Sequence, residues 1–581
     1  MYGCHMNSAV SQQRNIIFGA TAPQHLGALI SFIGIVAFQA FRLQPAQPTL
    51  LQDEYVYSVG TKYGGAEEAV RFGNFLYFEL YSLTSSCGAD FYSCARSINA
   101  FWFVVFLVVL YLFALRYFNW LSAAAITSGV GLGPIALYSS LYMPEMMYFA
   151  LSGMGLFFFI SFLNYRKRNS WVLLTLAFMA LGLASLVKPH ATFLAIGMLS
   201  YLMVFETLER FRGQNTNRFW AYFASIGAFL TTKLALGVIL AGPAGLTIFG
   251  NSYTNALVDF FGDLVRESSS DSSQMSNDEI TTIQGSAGGE GLLANFDVLV
   301  VHFGTAVLVA FILLGPLLAR QITERYVLRL GANSALIYLY IFMALIVSVF
   351  AAHLTGNGDD HSDRLLLRYF EFLLPFFFVV GLAAASKVRP SGARLYTSLA
   401  ISLISIVLAF TALQDRKWII ADSAHLFGIF ENPDASWFWA LVMAVLTFLI
   451  FNKLSVRETA LWLVLSLGMG GLGQISIQQQ LTLNGFMIAS DYAGEYVYEN
   501  YPSLAGEKIV VLGSDRKLVE AAMFRIDKPG IEFRLFQSGT EIDPESVPKQ
   551  FSLVVQTTGV FLAGEPANTL RGDGFAITEF R

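Results

Sequence analysis

Residues 98–115, INAFWFVVFLVVLYLFAL, contain no charged side chain. An α-helix of about 20 apolar residues crosses the roughly 30 Å hydrocarbon core of a bilayer. Residues 395–413, LYTSLAISLISIVLAFTAL, repeat the pattern. The whole chain is 55% hydrophobic and 13% charged, whereas a soluble domain carries about 25% charged residues. The sequence therefore predicts a multi-pass α-helical membrane protein.

Apolar windows recur along the first 476 residues and predict about 13 transmembrane helices. The predicted spans are 26–43, 98–116, 121–140, 143–164, 171–187, 191–206, 219–241, 296–319, 334–353, 369–386, 395–413, 436–452 and 459–476. The residues before them lack a basic segment that leads into a short apolar core with a cleavage site. No removable signal peptide is therefore predicted.

Positive charges cluster in alternate loops, which indicates the orientation in the membrane. With the N-terminus inside, the inner loops carry Arg116; Arg166, Lys167 and Arg168; Arg210, Arg212 and Arg218; Arg320, Arg325 and Arg329; Lys387, Arg389 and Arg394; Lys453 and Arg457. Because Lys and Arg are enriched in cytoplasmic loops, a cytoplasmic N-terminus in a cell inner or plasma membrane is predicted. An odd number of spans then puts the C-terminus outside.

The net charge of −5 is spread thinly, without a basic tract outside the short loops. Nucleic acid is therefore not an expected partner. The expected partner is the lipid bilayer and what dissolves in it.

Four predicted outer segments, 44–97, 243–295, 354–368 and 414–435, are long enough to have structure. In the first, Cys87 and Cys94 are two of only three cysteines in the chain. On the oxidising side they predict a local disulfide, with two free thiols as the alternative. The amphipathic run 67–83 in the same segment is expected to lie along the membrane surface.

The two remaining loops carry weaker signals. Segment 243–295 is rich in Ser and Gly and is predicted to be a partly ordered lid. Segment 414–435 is predicted to be a surface turn with one apolar anchor and no chemical role.

Beyond residue 476 the composition changes, and 477–581 is predicted to form a small extracytoplasmic α/β domain. Strands are predicted at 507–513, 531–536, 551–556 and 575–580, with a helix at 515–526. The turn after the first strand has Gly513 but no Gly-x-Gly-x-x-Gly pattern, so no dinucleotide site is predicted. The domain is expected either to dock and shape substrates or to be a structural cap.

Four short motifs follow one another on the predicted outer side. They are Asp53-Glu54; Tyr142-Met143-Pro144-Glu145; Lys188-Pro189; and Arg364 with Arg368 before the tyrosine-containing start of a helix ahead of Pro375. In their order and side, the first 390 residues or so resemble the GT-C superfamily of glycosyltransferases. The resemblance implies an integral membrane hexosyl- or pentosyltransferase that moves one sugar, with inversion, from a polyprenyl-phosphate donor to a cell-envelope glycan, lipid or protein.

The resemblance also implies a role for the acidic pair. Asp53 matches the family's first-loop acid and is expected to be the general base, because the acceptor hydroxyl must lose its proton as it attacks. Glu54 is the second choice. The alternative is that both are solvated acids or a helix N-cap.

Cations are expected to bind the leaving lipid phosphate, which gathers negative charge. Arg364 and Arg368 lie one helical turn apart, and planar guanidinium groups suit phosphate oxygens. Lys188 and His190, in a short turn between two spans, could add to the same phosphate site. Snorkelling or interfacial anchoring is the alternative for Arg368 and Lys188.

Three further residues, Glu145, Tyr142 and His361, are expected to contact substrate. Helix capping is the alternative for Glu145, and an interfacial aromatic belt for Tyr142. A divalent cation remains an option where His361 lies beside Asp359, Asp360 and Asp363. The carboxylates of that loop are expected to be hydrated by water, so no metal ligand is assigned. No cofactor is predicted to be required.

Two other function classes remain open. One is a transporter or flippase of lipid-linked saccharides, and the other is a non-catalytic membrane scaffold. Against a transporter stand the lack of recognisable internal repeats and the scarcity of charged residues in mid-span, with Lys233 as the main exception.

Overall fold

The structure is a computed structural model. It describes residues 20–48, 51–64, 73–164, 171–211, 219–250, 296–323, 331–356, 365–387, 392–413, 422–431, 433–451, 458–564 and 568–580. The predicted lid therefore lies largely outside the described residues.

Helices occupy every position predicted to be a span. In chain order the helices of this part are α1 Ala22–Leu43, α2 Leu51–Val59, α3 Phe75–Tyr81, α4 Phe91–Ala114, α5 Trp120–Gly131, α6 Glu145–Asn164, α7 Trp171–Ser185, α8 His190–Phe211, α9 Phe219–Ala241, α10 Phe296–Thr323, α11 Ala332–Gly356, α12 Leu373–Lys387, α13 Gly392–Leu413, α14 Ala424–Phe430, α15 Pro433–Phe451 and α16 Glu458–Asn484. All except α2, α3 and α14 coincide with predicted spans. This confirms the predicted multi-pass class.

Length and composition alone support fewer crossings than there are helices. Within the described residues, 8 helices are long and apolar enough to cross a bilayer, or up to 9 with one bent pair. Helices α7 and α12 have 15 residues each. At 1.5 Å per residue such a helix is only about 22 Å long. This is shorter than the hydrocarbon core, so neither helix is long enough to cross it alone.

The bent pair consists of α5 and the 3-10 helix Pro134–Ser140, which meet at 57°. The bend frees two carbonyl groups, and glutamine side chains bind them: Gln39 Nε2 donates to Gly131 O at 3.4 Å and Gln474 Nε2 to Leu132 O at 3.3 Å. Backbone polar groups at membrane depth need such partners. The break directs the chain towards Tyr142 and the start of α6.

The first outer segment folds as α2, a π-helical turn Gly60–Gly64, α3 and the 3-10 helix Ser82–Asp90. Cys87 and Cys94 form a disulfide with a Cα–Cα distance of 6.5 Å, as predicted. Of the amphipathic run 67–83, the part before residue 73 lies outside the described residues. The described part, α3, buries four aromatic residues: Phe75, Tyr77, Phe78 and Tyr81.

The C-terminal α/β domain follows α16, which continues to Asn484, past the predicted boundary at residue 476. Its elements are α17 Ala489–Asn500, β1 Ile509–Gly513, α18 Arg516–Ile526, β2 Glu532–Leu535, β3 Thr540–Ile542, β4 Leu553–Thr557, β5 Val560–Leu562, β6 Thr569–Gly572 and β7 Phe575–Glu579. The predicted helix and four strands are present, and the three missed strands have only three or four residues.

One five-stranded sheet of order β2-β1-β4-β7-β6 forms the domain's centre. Strand β1 is parallel to β2 and β4, and β7 is antiparallel to β4 and β6. Helices α17 and α18 pack together on one face of the sheet, over Ile509, Val511, Leu553 and Val555. This arrangement leaves the C-terminal end of α18 near α2.

Candidate active site

Helix α2 carries the acidic pair in its first turn, where the helix dipole favours negative charge. The two side chains diverge, because neighbouring residues on a helix point about 100° apart. Glu54 is fully buried, and its Oε2 accepts the backbone N–H of Tyr142 at 2.8 Å. The Asp53 side chain is 43% exposed. Of the pair, only Asp53 is accessible to a substrate.

Arg368 lies against Asp53, although 315 positions separate them in the chain. It belongs to the 3-10 helix Leu367–Tyr369 just before α12. Its Nη1 donates to Asp53 Oδ2 at 3.3 Å, and its Nε lies 3.9 Å from Asp422 Oδ1. Only 11% of the side chain is exposed, so Arg368 faces protein groups and does not snorkel to the surface.

Tyr369 joins Arg368 to the turn between α7 and α8. Its ring stacks on the His190 ring, with centroids 3.9 Å apart and an interplanar angle of 8°. Lys188 Nζ lies 4.5 Å from the same ring, and Arg368 Nη2 donates to the Tyr369 hydroxyl at 3.2 Å. Tyr148 fixes the backbone beneath by donating to Tyr369 O at 2.8 Å.

Lys188 forms a buried ion pair with Glu145, the first residue of α6, at 2.5 Å between Nζ and Oε1. Both side chains are at most 5% exposed. Among the described residues, the second oxygen of Glu145, Oε2, has no hydrogen-bond partner. The pair therefore places one carboxylate oxygen in the site without a protein donor.

Lys233, the charged residue in mid-span, supports this turn. Its Nζ donates to Ser185 O at 3.0 Å and to Ser185 Oγ at 3.2 Å. Ser185 ends α7, and cations are favourable at helix C-termini. Lys233 thus stabilises the helix end that leads into Lys188.

The predicted surface turn at 414–435 is wrong for its described part. Residues 424–430 form the buried helix α14, and Asp422 and His425 are 3% and 1% exposed. Asp422 O accepts the Arg368 backbone N–H at 2.8 Å. A helix of seven residues gives too short an apolar pattern to identify from sequence, and the prediction missed Asp422 for that reason.

A buried polar network joins Glu371 to the N-terminal residues of α14, next to the cluster. Glu371 Oε1 accepts from His425 N at 3.0 Å and from Ser423 Oγ at 3.1 Å, and lies 2.5 Å from His425 Nδ1. Tyr138 donates to the other Glu371 oxygen. These bonds join the residues just after Arg368 to the residues just after Asp422.

The structure thus brings Asp53, Arg368, Lys188, His190 and Glu145 into one cluster. Tyr142 is placed differently: it is 0% exposed, and its hydroxyl bonds Thr84 at 2.6 Å and Thr61 at 2.9 Å. Tyr142 therefore stabilises the first outer segment through these two hydrogen bonds and has no direct access to a substrate.

Arg364 and His361, with the acids around His361, lie outside the described residues. Within the described ranges no group of three or more His, Cys, Asp or Glu side chains could hold a metal ion.

The fold and this cluster define a class: a multi-pass membrane protein with a charged site at one end of its bundle, next to an α/β domain. No protein-family model matches the chain, and no curated protein matches it. Solved structures do match. The chain is similar to ArnT from Cupriavidus metallidurans bound to undecaprenyl phosphate, with 12% identity, 95% of this chain and 97% of that chain covered, and a TM-score of 0.48.

A second similar structure is the archaeal oligosaccharyltransferase AglB from Archaeoglobus fulgidus, in complex with an inhibitory peptide and a dolichol-phosphate. Its identity is 12%, its coverage 92% of this chain and 69% of that chain, and its TM-score 0.40. Both of these solved structures contain a lipid phosphate, undecaprenyl phosphate in ArnT and dolichol-phosphate in AglB. A likeness at this level assigns no role to any residue of this chain.

Proposed function

We propose that this protein is an inverting glycosyltransferase that moves a single sugar from a polyprenyl-phosphate donor to a cell-envelope acceptor. The acceptor is a glycan, a lipid or a protein. We place the reaction at the outer face of the cell inner or plasma membrane, with the N-terminus cytoplasmic and the C-terminal domain extracytoplasmic. The observation that carries the proposal is the pairing of the accessible Asp53 with the buried Arg368.

Each partner of this pair suits one half of the reaction. Asp53 takes the proton of the acceptor hydroxyl as its oxygen bonds the anomeric carbon. The bond between that carbon and the phosphate oxygen breaks, and the lipid phosphate leaves with the electron pair. Arg368 meets the charge that develops on the phosphate, in a site largely closed to water.

One-step inversion places the base and the leaving oxygen on opposite faces of the sugar. The 3.3 Å contact between Asp53 and Arg368 must therefore open, with the sugar ring entering between the two side chains. The exposed fraction of Asp53 gives the ring a side from which to enter. Glu145 is buried while the site is closed, so we propose that the same opening exposes its Oε2 to a sugar hydroxyl.

The charge balance of the site leads to a role for Arg364. The described cluster contains two cations, Arg368 and Lys188, against three carboxylates, Asp53, Asp422 and Glu145. An anionic phosphate needs more positive charge than this. Arg364, four positions before Arg368 in the sequence, would supply it.

Purified protein incubated with a synthetic polyprenyl-phosphate sugar tests the proposal by release or transfer of the sugar. Asp53→Asn should abolish turnover, because the amide cannot take the proton. Glu54→Gln is the matched control, since its amide oxygen can still accept the Tyr142 N–H and activity should persist. Full activity of Asp53→Asn would refute the role of Asp53. Movement of intact donor across the bilayer without sugar transfer would instead support a flippase.

The same assay tests the phosphate site. Arg368→Ala should weaken use of the donor by roughly 10- to 100-fold, since a charge-assisted hydrogen bond contributes about 1.5–3 kcal/mol. Arg534→Ala is the control, because Arg534 is a 40% exposed arginine paired with Glu532 in the C-terminal domain. Normal kcat/KM for the donor in Arg368→Ala would place the phosphate elsewhere.

A further inference from the structure

Helix α2 also contacts the C-terminal domain. Ser58 Oγ donates to Asp527 Oδ1 at 2.6 Å, and Lys62, in the π-helical turn after α2, pairs with Asp527 Oδ2. Tyr55 donates to the backbone carbonyl of Lys528 at 2.6 Å. More than 460 positions separate these partners in the chain. The helix that bears Asp53 is therefore held by two separate parts of the molecule.

The contact with Asp527 is buried and charged. The Lys62 side chain is 5% exposed and that of Asp527 0%, and Lys62 Nζ lies 3.3 Å from the centroid of the Phe91 ring. Desolvating two charges costs about as much as their attraction returns, so a buried pair adds little stability but can specify one arrangement. We therefore explain the pair by the arrangement of α2 and the C-terminal domain that it specifies, and not by a gain in stability.

The backbone of Asp527 supports this explanation. Asp527 follows α18 with φ 51° and ψ 48°, and among the described residues it is the one non-glycine with positive φ. Helices that end in this conformation usually have glycine there, because a Cβ is strained. Glycine would lack the carboxylate that reaches Ser58 and Lys62. An unfavourable backbone state is kept where the side chain is used.

Helix α2 needs such contacts because it has only nine residues. Isolated helices shorter than about 12 residues are marginal in water. On the bundle side, Glu54 holds α2 through the Tyr142 N–H; on the domain side, Ser58 and Lys62 hold it through Asp527. Asp53 immediately precedes Glu54, so both attachments lie on the segment that begins with the helix bearing Asp53.

We propose that Asp527 is a positioning residue: through Ser58 and Lys62 the C-terminal domain holds α2 so that Asp53 stays within reach of Arg368. This inference rests on the proposed sugar transfer, and it assigns the domain a part in that reaction. The domain then acts on turnover without touching the reacting atoms.

Hydrogen–deuterium exchange on the full-length protein, with steady-state kinetics, tests the inference. Asp527→Asn should raise exchange over residues 51–64 by about tenfold, the effect of losing about 1.4 kcal/mol, and leave exchange in β1 and β4 unchanged. It should lower kcat about tenfold without changing KM for the donor. Asp573→Asn, an exposed acid in the same domain, is the matched control and should change neither.

Ser58→Ala provides a milder variant if Asp527→Asn does not fold, and the same direction of change is expected. Unchanged exchange over 51–64 overturns the inference, and so does faster exchange with unchanged kcat. A kcat loss that only follows a lower folded fraction also overturns it. If the wild-type protein transfers no sugar, the proposed function fails, while the exchange data still decide whether Asp527 holds α2.

Discussion

At the scale of single residues, adjacent acids have different surroundings. Asp53 and Glu54 share a helix turn, yet Glu54 is closed off by the Tyr142 N–H while Asp53 is 43% exposed beside a guanidinium. The same contrast separates Asp527, buried against Lys62, from the exposed acids of its domain. Carboxyl groups are intrinsically alike, so the differences among these acids come from how deeply each is buried and from the charged and hydrogen-bonding groups that contact it.

The buried Lys62–Asp527 pair leads to a pH prediction. Burial raises the pKa of the Asp527 carboxyl, with Lys62 opposing the shift, and burial lowers the pKa of the Lys62 ammonium. In Lys62→Met the opposing cation is gone, so the pKa of Asp527 should rise further. A carboxyl whose folded pKa is raised gives stability that is present at low pH and is lost as the pH rises through that pKa.

The destabilisation of Lys62→Met relative to wild type should therefore grow as the pH rises above about 4, the ordinary pKa of an aspartate. Thermal unfolding at several pH values measures this difference. The double variant Lys62→Met/Asp527→Asn has no carboxyl at this position, so its own stability should lack the fall with rising pH that Lys62→Met shows. A constant difference for Lys62→Met would contradict the prediction.

At the scale of elements, short or broken helices carry the site. Asp53 lies on a nine-residue helix, Asp422 next to a seven-residue one, and Arg368 in a single 3-10 turn. None of these elements is stable alone, so each depends on the long helices that surround it. The break after α5 has the same character, since its carbonyls are bound by Gln39 and Gln474.

The break leads to a packing prediction at Gly473 of α16. A Cβ on Gly473 would come within 2.1 Å of Leu132 O and 2.5 Å of the Gly133 backbone, so the helices must move apart. Gly473→Ala should lower the free energy of unfolding by about 1–3 kcal/mol, the cost typical of overpacking. Gly227→Ala is the control, because nothing lies within 4 Å of its Cβ. Equal stability of the two variants would contradict this packing.

At the scale of the whole molecule, the C-terminal domain and the bundle meet through α2, and the predicted orientation puts this junction outside the cell. Apolar length and charge bias predict that orientation from sequence. The disulfide in the same outer segment agrees with an oxidising environment. Sidedness itself is a prediction that thiol chemistry can test.

In intact cells, an impermeant thiol reagent should label Cys87 and Cys94 only after reduction, because both are outside and joined to each other. Cys4, in the predicted cytoplasmic N-terminus, should be labelled only after the cells are opened. A Cys4→Ser variant separates the two signals. Labelling of Cys4 in intact cells would reverse the predicted orientation.

The amino-acid sequence was enough to predict the membrane class, the positions of the long helices, the disulfide and the main strands of the terminal domain. These features follow from local patterns: apolar length, charge at loops, and alternation over a few residues. It also singled out Asp53, Arg368, Lys188, His190 and Glu145 as candidates, by residue type and position.

Which of these residues meet depends on how distant parts of the chain pack together. Arg368 pairs with Asp53 across 315 positions, Asp422 enters from a segment predicted to be a surface turn, and Asp527 reaches Ser58 across 469 positions. Such contacts arise when distant elements pack, and no local pattern encodes them. For that reason the sequence could name Asp53 and Arg368 as separate candidates, while their pairing, and the contact of Asp527 with the helix that bears Asp53, are visible only in the folded protein.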